Sequence, residues 1–240
     1  MKPNPTQQLI PTCRPFLKVL ALVLGTGLCL VQPLLAQSTY TWTGGSGTSG
    51  NWNDAANWGG SLPASPQNYL NFTNNVRTSN TNNFAAGSSG FQIYFKAGSA
   101  SGPFNLYGNS ITFYNYGAGD PNIQNEGINN TQTINFPIVD GNGTANSPFG
   151  ILNVNLNASP GQGPLVFNGT ISALDATVAV RALNVSGSNT VTFNGVISDF
   201  SSSGKMALSQ LGTGTTILTA VNTYSGGTTV SGGKTLSVYV

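Results

Sequence analysis

Apolar residues return at every second position over short stretches of this chain, and no stretch beyond the first 36 residues holds them at helical spacing. Ile151-Leu-Asn-Val-Asn-Leu156 and Thr177-Val-Ala-Val-Arg-Ala-Leu-Asn-Val185 alternate in this way, which predicts half-buried strands. In the second run the alternation places Val178, Val180 and Leu183 on one face. A signature ending in Phe recurs as Ile111-Thr-Phe113, Ile134-Asn-Phe136, Leu165-Val-Phe167 and Val191-Thr-Phe193, its Phe residues 23, 31 and 26 positions apart. The last two lie in matched frames, Phe167-Asn-Gly-Thr-Ile-Ser and Phe193-Asn-Gly-Val-Ile-Ser. A period in the twenties suits one turn of a β-solenoid, whose coils hold two or three strands of about 4 to 6 residues joined by bends. The four Phe are therefore expected to point inward, with Phe167 and Phe193 equivalent on neighbouring coils.

Composition agrees with parallel stacking. Gly, Ser, Thr and Asn abound while charged residues make up 6%. Inward side chains of a coil stack on like residues above and below, and outward ones are solvated, so half of each strand can be polar. Gly and Asn then serve the bends, where positive φ is often required. Aromatic residues are uneven: Tyr40 to Tyr116 holds 15 in 77 residues, and Gly117 to Val240 holds 7 in 124. This predicts an aromatic-rich β region or cap at 37–116 and solenoid coils at 117–240. Asp54 to Asn57 is the place for a single helical turn.

Residues 1–36 read as a secretory signal peptide. Lys2, Arg14 and Lys18 precede an apolar run from Val19 to Val31, and Pro33-Leu34-Leu35-Ala36 leads to Gln37. Such a leader is removed on export, here after Ala36. The remaining chain carries five basic and six acidic residues, a net charge of −1, and no cysteine, because Cys13 and Cys29 both lie in the leader. With no cluster of Lys or Arg after Ala36, nucleic acid and anionic membrane surfaces are not expected partners.

Chemistry is constrained by absence of histidine from the whole sequence, which removes Ser-His-Asp triads and His-ligated zinc. The acids are scattered singly; the closest pair, Asp120 and Glu126, are six residues apart, whereas polysaccharide hydrolysis needs two carboxylates brought together. Asp140-Gly-Asn142-Gly143-Thr144 and Gly117-Ala-Gly119-Asp120 lack the further ligands of a calcium loop and read as turns. No catalytic residue, cofactor or metal is expected. Trp42, Trp52 and Trp58 are the candidate ligand contacts, since exposed aromatic faces stack on sugars. The favoured alternative for them is closure of the first coil, which a bulky side chain can plug.

The segment Lys205 to Leu236 reads KMALSQLGTGTTILTAVNTYSGGTTVSGGKTL. Gly212, Gly214 and Leu218, then Asn222-Thr-Tyr224, Gly226-Gly-Thr228 and Val230, then Gly233 and Leu236 resemble a passenger-associated repeat of bacterial autotransporters, one copy spanning 205–237. Tyr40-Thr-Trp42-Thr-Gly-Gly and Asn51-Trp52 to Asn57-Trp58 resemble the opening of secreted proteins with the same repeats. The resemblance implies a right-handed parallel β-helix secreted to the cell surface at or beyond the outer membrane, and it names no ligand. The expected function is a non-enzymatic passenger-type scaffold or adhesin whose partner is a surface, glycan or protein. Two other readings stand beside it: a carbohydrate-binding module on the aromatic region, and a β-helix polysaccharide-degrading enzyme. Autotransporters end in a translocating β-barrel, which this sequence lacks, so a fragment or another export route is expected, with membrane contact only through such a barrel. Repeat-type sequence running to the end also leads us to expect self-association through the C-terminal coil.

Overall fold

A strand, β1 (Ser38–Trp42), and a 3-10 turn (Ala55–Trp58) open a stack of parallel coils in the computed structural model of this chain. It describes residues 38–63, 68–96, 102–114, 122–126, 129–141, 148–154, 163–231 and 234–239. The expected leader, the Gly117–Asp120 loop and positions 142–144 of the Asp140 turn lie outside them.

Each following coil visits three sheets in turn. The first runs through β2 (Asn68–Phe72), β3 (Ser79–Asn82) and β4 (Ser88–Ser89). Next come β5 (Phe91–Lys96), β6 (Asn105–Gly108) and β7 (Ile111–Phe113). The third coil is β8 (Asn122–Glu126), β9 (Gln132–Ile134) and β10 (Ile138–Asp140). The fourth is β11 (Phe149–Val154), β12 (Leu165–Phe167) and β13 (Ile171–Ala173). The fifth is β14 (Val180–Gly187), β15 (Val191–Phe193) and β16 (Ile197–Ser198). Two coils then have two strands each: β17 (Lys205–Gln210) with β18 (Thr215–Leu218), and β19 (Thr228–Val230) with β20 (Thr235–Val238). The first sheet orders β1-β2-β5-β8-β11-β14-β17-β19, the second β3-β6-β9-β12-β15-β18-β20 and the third β4-β7-β10-β13-β16. All pairings are parallel, so the all-β solenoid expected from the sequence is the fold.

Parallel register turns the alternation into columns. Leu70, Ile93, Ile123, Ile151 and Val185 follow one another inward along the first sheet, and Ile111, Ile138, Ile171 and Ile197 do so along the third. All nine are buried. Stacking like on like keeps the coil cross-section constant and fills the interior without voids. The columns run unbroken past residue 117, since β5 pairs with β8; residues 37–116 differ from the rest in composition while sharing their sheets.

Bends are held by amide side chains and close backbone approach. Asn153 gives its Nδ2 hydrogens to the carbonyl of Thr190 at 2.8 Å, and Gln210 bonds the carbonyls of Gly212 and Gly214 at 3.0 and 2.8 Å. These side chains satisfy carbonyls that leave the ladder where the chain turns. On the outer surface Asn168 donates to Asn135, Asn194 to Asn168 and Thr219 to Asn194, at 2.7, 2.8 and 2.8 Å. That is an amide ladder along four coils. Beside it, Gly195 lies so close to the Gly169 carbonyl that a Cβ would collide with it, which is why Asn-Gly recurs in the frame.

Two readings of the pattern are corrected by this register. Phe167 and Phe193 are partners in the second sheet, with rings stacked at 5.1 Å and 17°, as expected. Phe113 belongs to the third sheet, and the strand partner of Phe167 in the preceding coil is Ile134, with Phe136 in the bend beyond it. All four rings are buried, but they are not one repeated position. In β14 the inward set is Arg181, Leu183 and Val185, while Val180 faces out at 39% exposure. The run 176–179 is a bend that shifts the phase, and Arg181 can turn inward because Asp175 meets its guanidinium at 2.8 Å.

Candidate binding surface

The three tryptophans are interior. Trp42, Trp52 and Trp58 are 0, 0 and 5% exposed and form edge-to-face contacts, Trp42 with Trp58 at 5.0 Å and Trp52 with Trp58 at 6.0 Å. Phe72 packs against all three. A buried indole needs a partner for its N–H, and each has one: Val76 O at 3.1 Å, Asn80 Oδ1 at 2.6 Å and Trp52 O at 2.8 Å. The turn that carries Trp58 is capped by Asp54, which accepts from the Ala56 amide at 3.1 Å and from Ser49 Oγ at 2.8 Å. The Ser46 hydroxyl, then Ser49 and the Ala56 amide, hold the Asp54 carboxyl below the usual range. Buried Asn57 fixes the loop, accepting from Ser46 N and donating to the carbonyls of Ser49 and Asn51. This is a plug over the first coil, and it presents no free indole face for a sugar.

Surface aromatics occur instead on the outward face of the first sheet. In Asn68-Tyr-Leu-Asn-Phe72 and Phe91-Gln-Ile-Tyr-Phe-Lys96 the inward positions are apolar apart from Asn68, and the outward ones are Tyr69, Asn71, Gln92, Tyr94 and Lys96. Tyr69 and Tyr94 meet edge to face at 5.2 Å. Lys96 Nζ lies 5.0 Å above the Tyr94 ring and 3.8 Å from Glu126. Tyr94 donates to Gln92 Oε1 at 2.8 Å, and burial, then neighbouring Tyr69, push its hydroxyl up to about 12. Thr39, Tyr69, Asn71, Tyr94 and Lys96 line a hollow of about 270 Å³. Period-two reading of these two strands would have put both tyrosines outside; their meeting depends on register between strands far apart in sequence.

Asp175 and Asp199 serve the scaffold. Asp175 accepts from Thr177 and from Arg181, and these contacts bring its carboxyl down to about 2. Asp199 accepts from the amides of Met206 and Ser225 at 2.7 and 3.1 Å and from Ser225 Oγ at 2.6 Å. Burial raises its pKa, and these hydrogen bonds outweigh that and hold it low. Among the described residues no group of three or more metal-binding side chains occurs, and no helix is long and apolar enough to cross a membrane.

Asp199 anchors the Tyr224-Ser-Gly-Gly-Thr228 turn, where Tyr224 and Thr228 hydroxyls bond at 2.7 Å. Just before it, Asn222 ends the third sheet. The amides of Ile111, Ile138 and Ile171 each donate to a backbone carbonyl one coil on, but Ile197 N donates to the Asn222 side chain at 2.7 Å. A side-chain oxygen thus replaces the next strand, and from there the coils keep only the first two sheets. A hollow of about 480 Å³ bounded by Leu218, Val221, Asn222, Tyr224, Thr228 and Val238 opens at this place.

The chain has no significant match among curated proteins or among solved structures. Residues 208–238 match the family described as Passenger-associated-transport-repeat; the segment that ends the third sheet and forms the last two coils of the solenoid is that repeat.

Proposed function

We propose that this chain is a non-enzymatic passenger-type protein of the autotransporter kind, displayed at the cell surface beyond the outer membrane as a scaffold or adhesive surface. The observation that carries the reading is the transport repeat at 208–238 in register with coils that reach back to β1: β17 pairs with β14 on one side and β19 on the other. The repeat family implies secretion or the cell surface. Display follows from the fold: backbone ladders hold the coils, and solvated Thr, Ser, Asn and Gln positions form a long face on each sheet. The structural use of Asp54, Asp175 and Asp199, and a sequence without histidine, favour binding over catalysis.

Treating intact cells that produce the full chain with proteinase K tests this reading. Loss of the protein before lysis is the expected result. Full protection until the envelope is broken would overturn display.

A further inference from the structure

The hollow on β1, β2 and β5 has the chemistry of a binding site that the buried tryptophans lack. It is about 270 Å³ in volume, below the roughly 300–1,000 Å³ of sites for drug-sized ligands, so it suits a unit the size of a sugar ring. Two tyrosine rings set at 63° to one another form its wall, and such rings offer a flat apolar face with a polar tip. Asn71, the register partner of Tyr94 on β2, adds an amide to the lining.

We propose that this hollow is a glycan subsite, which takes a neutral sugar ring of an extracellular polysaccharide against the rings of Tyr69 and Tyr94. The inference rests on the displayed-surface reading only for where the glycan is met. A sugar presents C–H groups on one face and hydroxyls around its rim, and aromatic rings beside amides match both. Charge selects the neutral kind: the cation at this place, Lys96, stands 3.8 Å from Glu126, so an acidic sugar would meet both signs. At the rings themselves a peptide strand finds no ladder to join, because β2 is already bonded to β1 and to β5; the near edge of this sheet is β1. The high pKa of Tyr94 keeps its hydroxyl neutral across the physiological range.

Native affinity electrophoresis of the purified full-length exported protein in gels containing hydroxyethyl cellulose, xylan, galactomannan or polygalacturonate tests the site. Retardation by at least one of the three neutral polymers is expected, weakened roughly tenfold or more in Tyr69→Ala and Tyr94→Ala, a loss near 1.4 kcal/mol. Tyr107→Ala, an exposed ring on β6, should bind as the parent does, and Tyr94→Phe should keep most of the binding. Urea midpoints of all variants show that the fold persists. No retardation by a neutral polymer, retardation by polygalacturonate alone, or equal loss in Tyr107→Ala would overturn the proposal. Because the assay uses purified protein, its failure leaves display on cells untouched, and failure of display leaves the subsite untouched.

Discussion

Down one inward column of the first sheet, Trp42, Phe72 and Phe95 follow one another, and then Asn125, Asn153 and Gly187 occupy the same place. The early coils are filled by aromatic volume, while the later ones are closed by amides and by a glycine at φ 101°, where a side chain would strike the Asn153 carbonyl. The contrast grows toward the last coil. Trp42 and Trp52 are wholly buried, whereas Val230 and Val238 in β19 and β20 are 42 and 54% exposed. One end of the stack carries a hydrogen-bonded plug, and at the other, among the described residues, β19 and β20 are each paired on one side only. Aromatic packing is concentrated at the end that carries the tyrosine hollow, and exposed apolar side chains lie at the end built from the transport repeat.

Removing the plug should hurt most. Trp52→Ala deletes a buried ring and strips Asn80 of its donor, and we expect a loss at the upper end of about 3–5 kcal/mol in urea unfolding. Phe193→Ala, which breaks one stacked ring pair in a later coil, should fall nearer the lower end of that range. An equal or larger loss for Phe193→Ala would remove the distinction between the two regions.

Asn222→Ala leaves the Ile197 amide unpaired beside a buried side chain, so about 1–3 kcal/mol is expected. Hydrogen exchange should show the gain in exchange rate at Ile197 and not at Ile138. The acid response is smaller and local. Asp175 is depressed from 3.8 to about 2, so its contribution is fully present above pH 3.8 and disappears as pH falls through 2. Asp175→Asn should flatten that part of the acid unfolding curve.

Period-two patterning made much of this legible. Strands and the all-β class follow from local alternation, the paired Phe167 and Phe193 from their matched frames, and the repeat near residue 208 from its resemblance to a known family. What failed was phase. Nothing local says that Ile134, and not Phe136, stands under Phe167, or that a bend at 176–179 turns Arg181 inward and Val180 outward. Register across about 25 residues decides such matters, and it equally decides that Tyr69 and Tyr94 meet. The tryptophans were legible as a bulky closure of the first coil, but not the acceptors, Asn80, Val76 and Trp52 itself, that hold them there.

Exposed strand edges also carry the weakest expected effect. Purified protein should associate at micromolar concentration through β19 and β20, since unpaired edges template further pairing, and Val230→Lys should reduce the associated fraction in light scattering. A stable monomer would mean that this end is closed by other means.

Central to this account is that the transport repeat continues the same stack that the tryptophans close. Ser209 and Thr229 are in-register outward neighbours on β17 and β19, and the sequence after residue 36 contains no other cysteine. A chain of residues 37–240 with Ser209→Cys and Thr229→Cys should form an intramolecular disulfide on mild oxidation, because neighbouring strands bring Cα atoms within the range such a bond requires. The pair Ser209→Cys and Val230→Cys, shifted by one residue, should not. Ready bridging in the shifted pair, or none in the first, would contradict the register and with it the continuous solenoid.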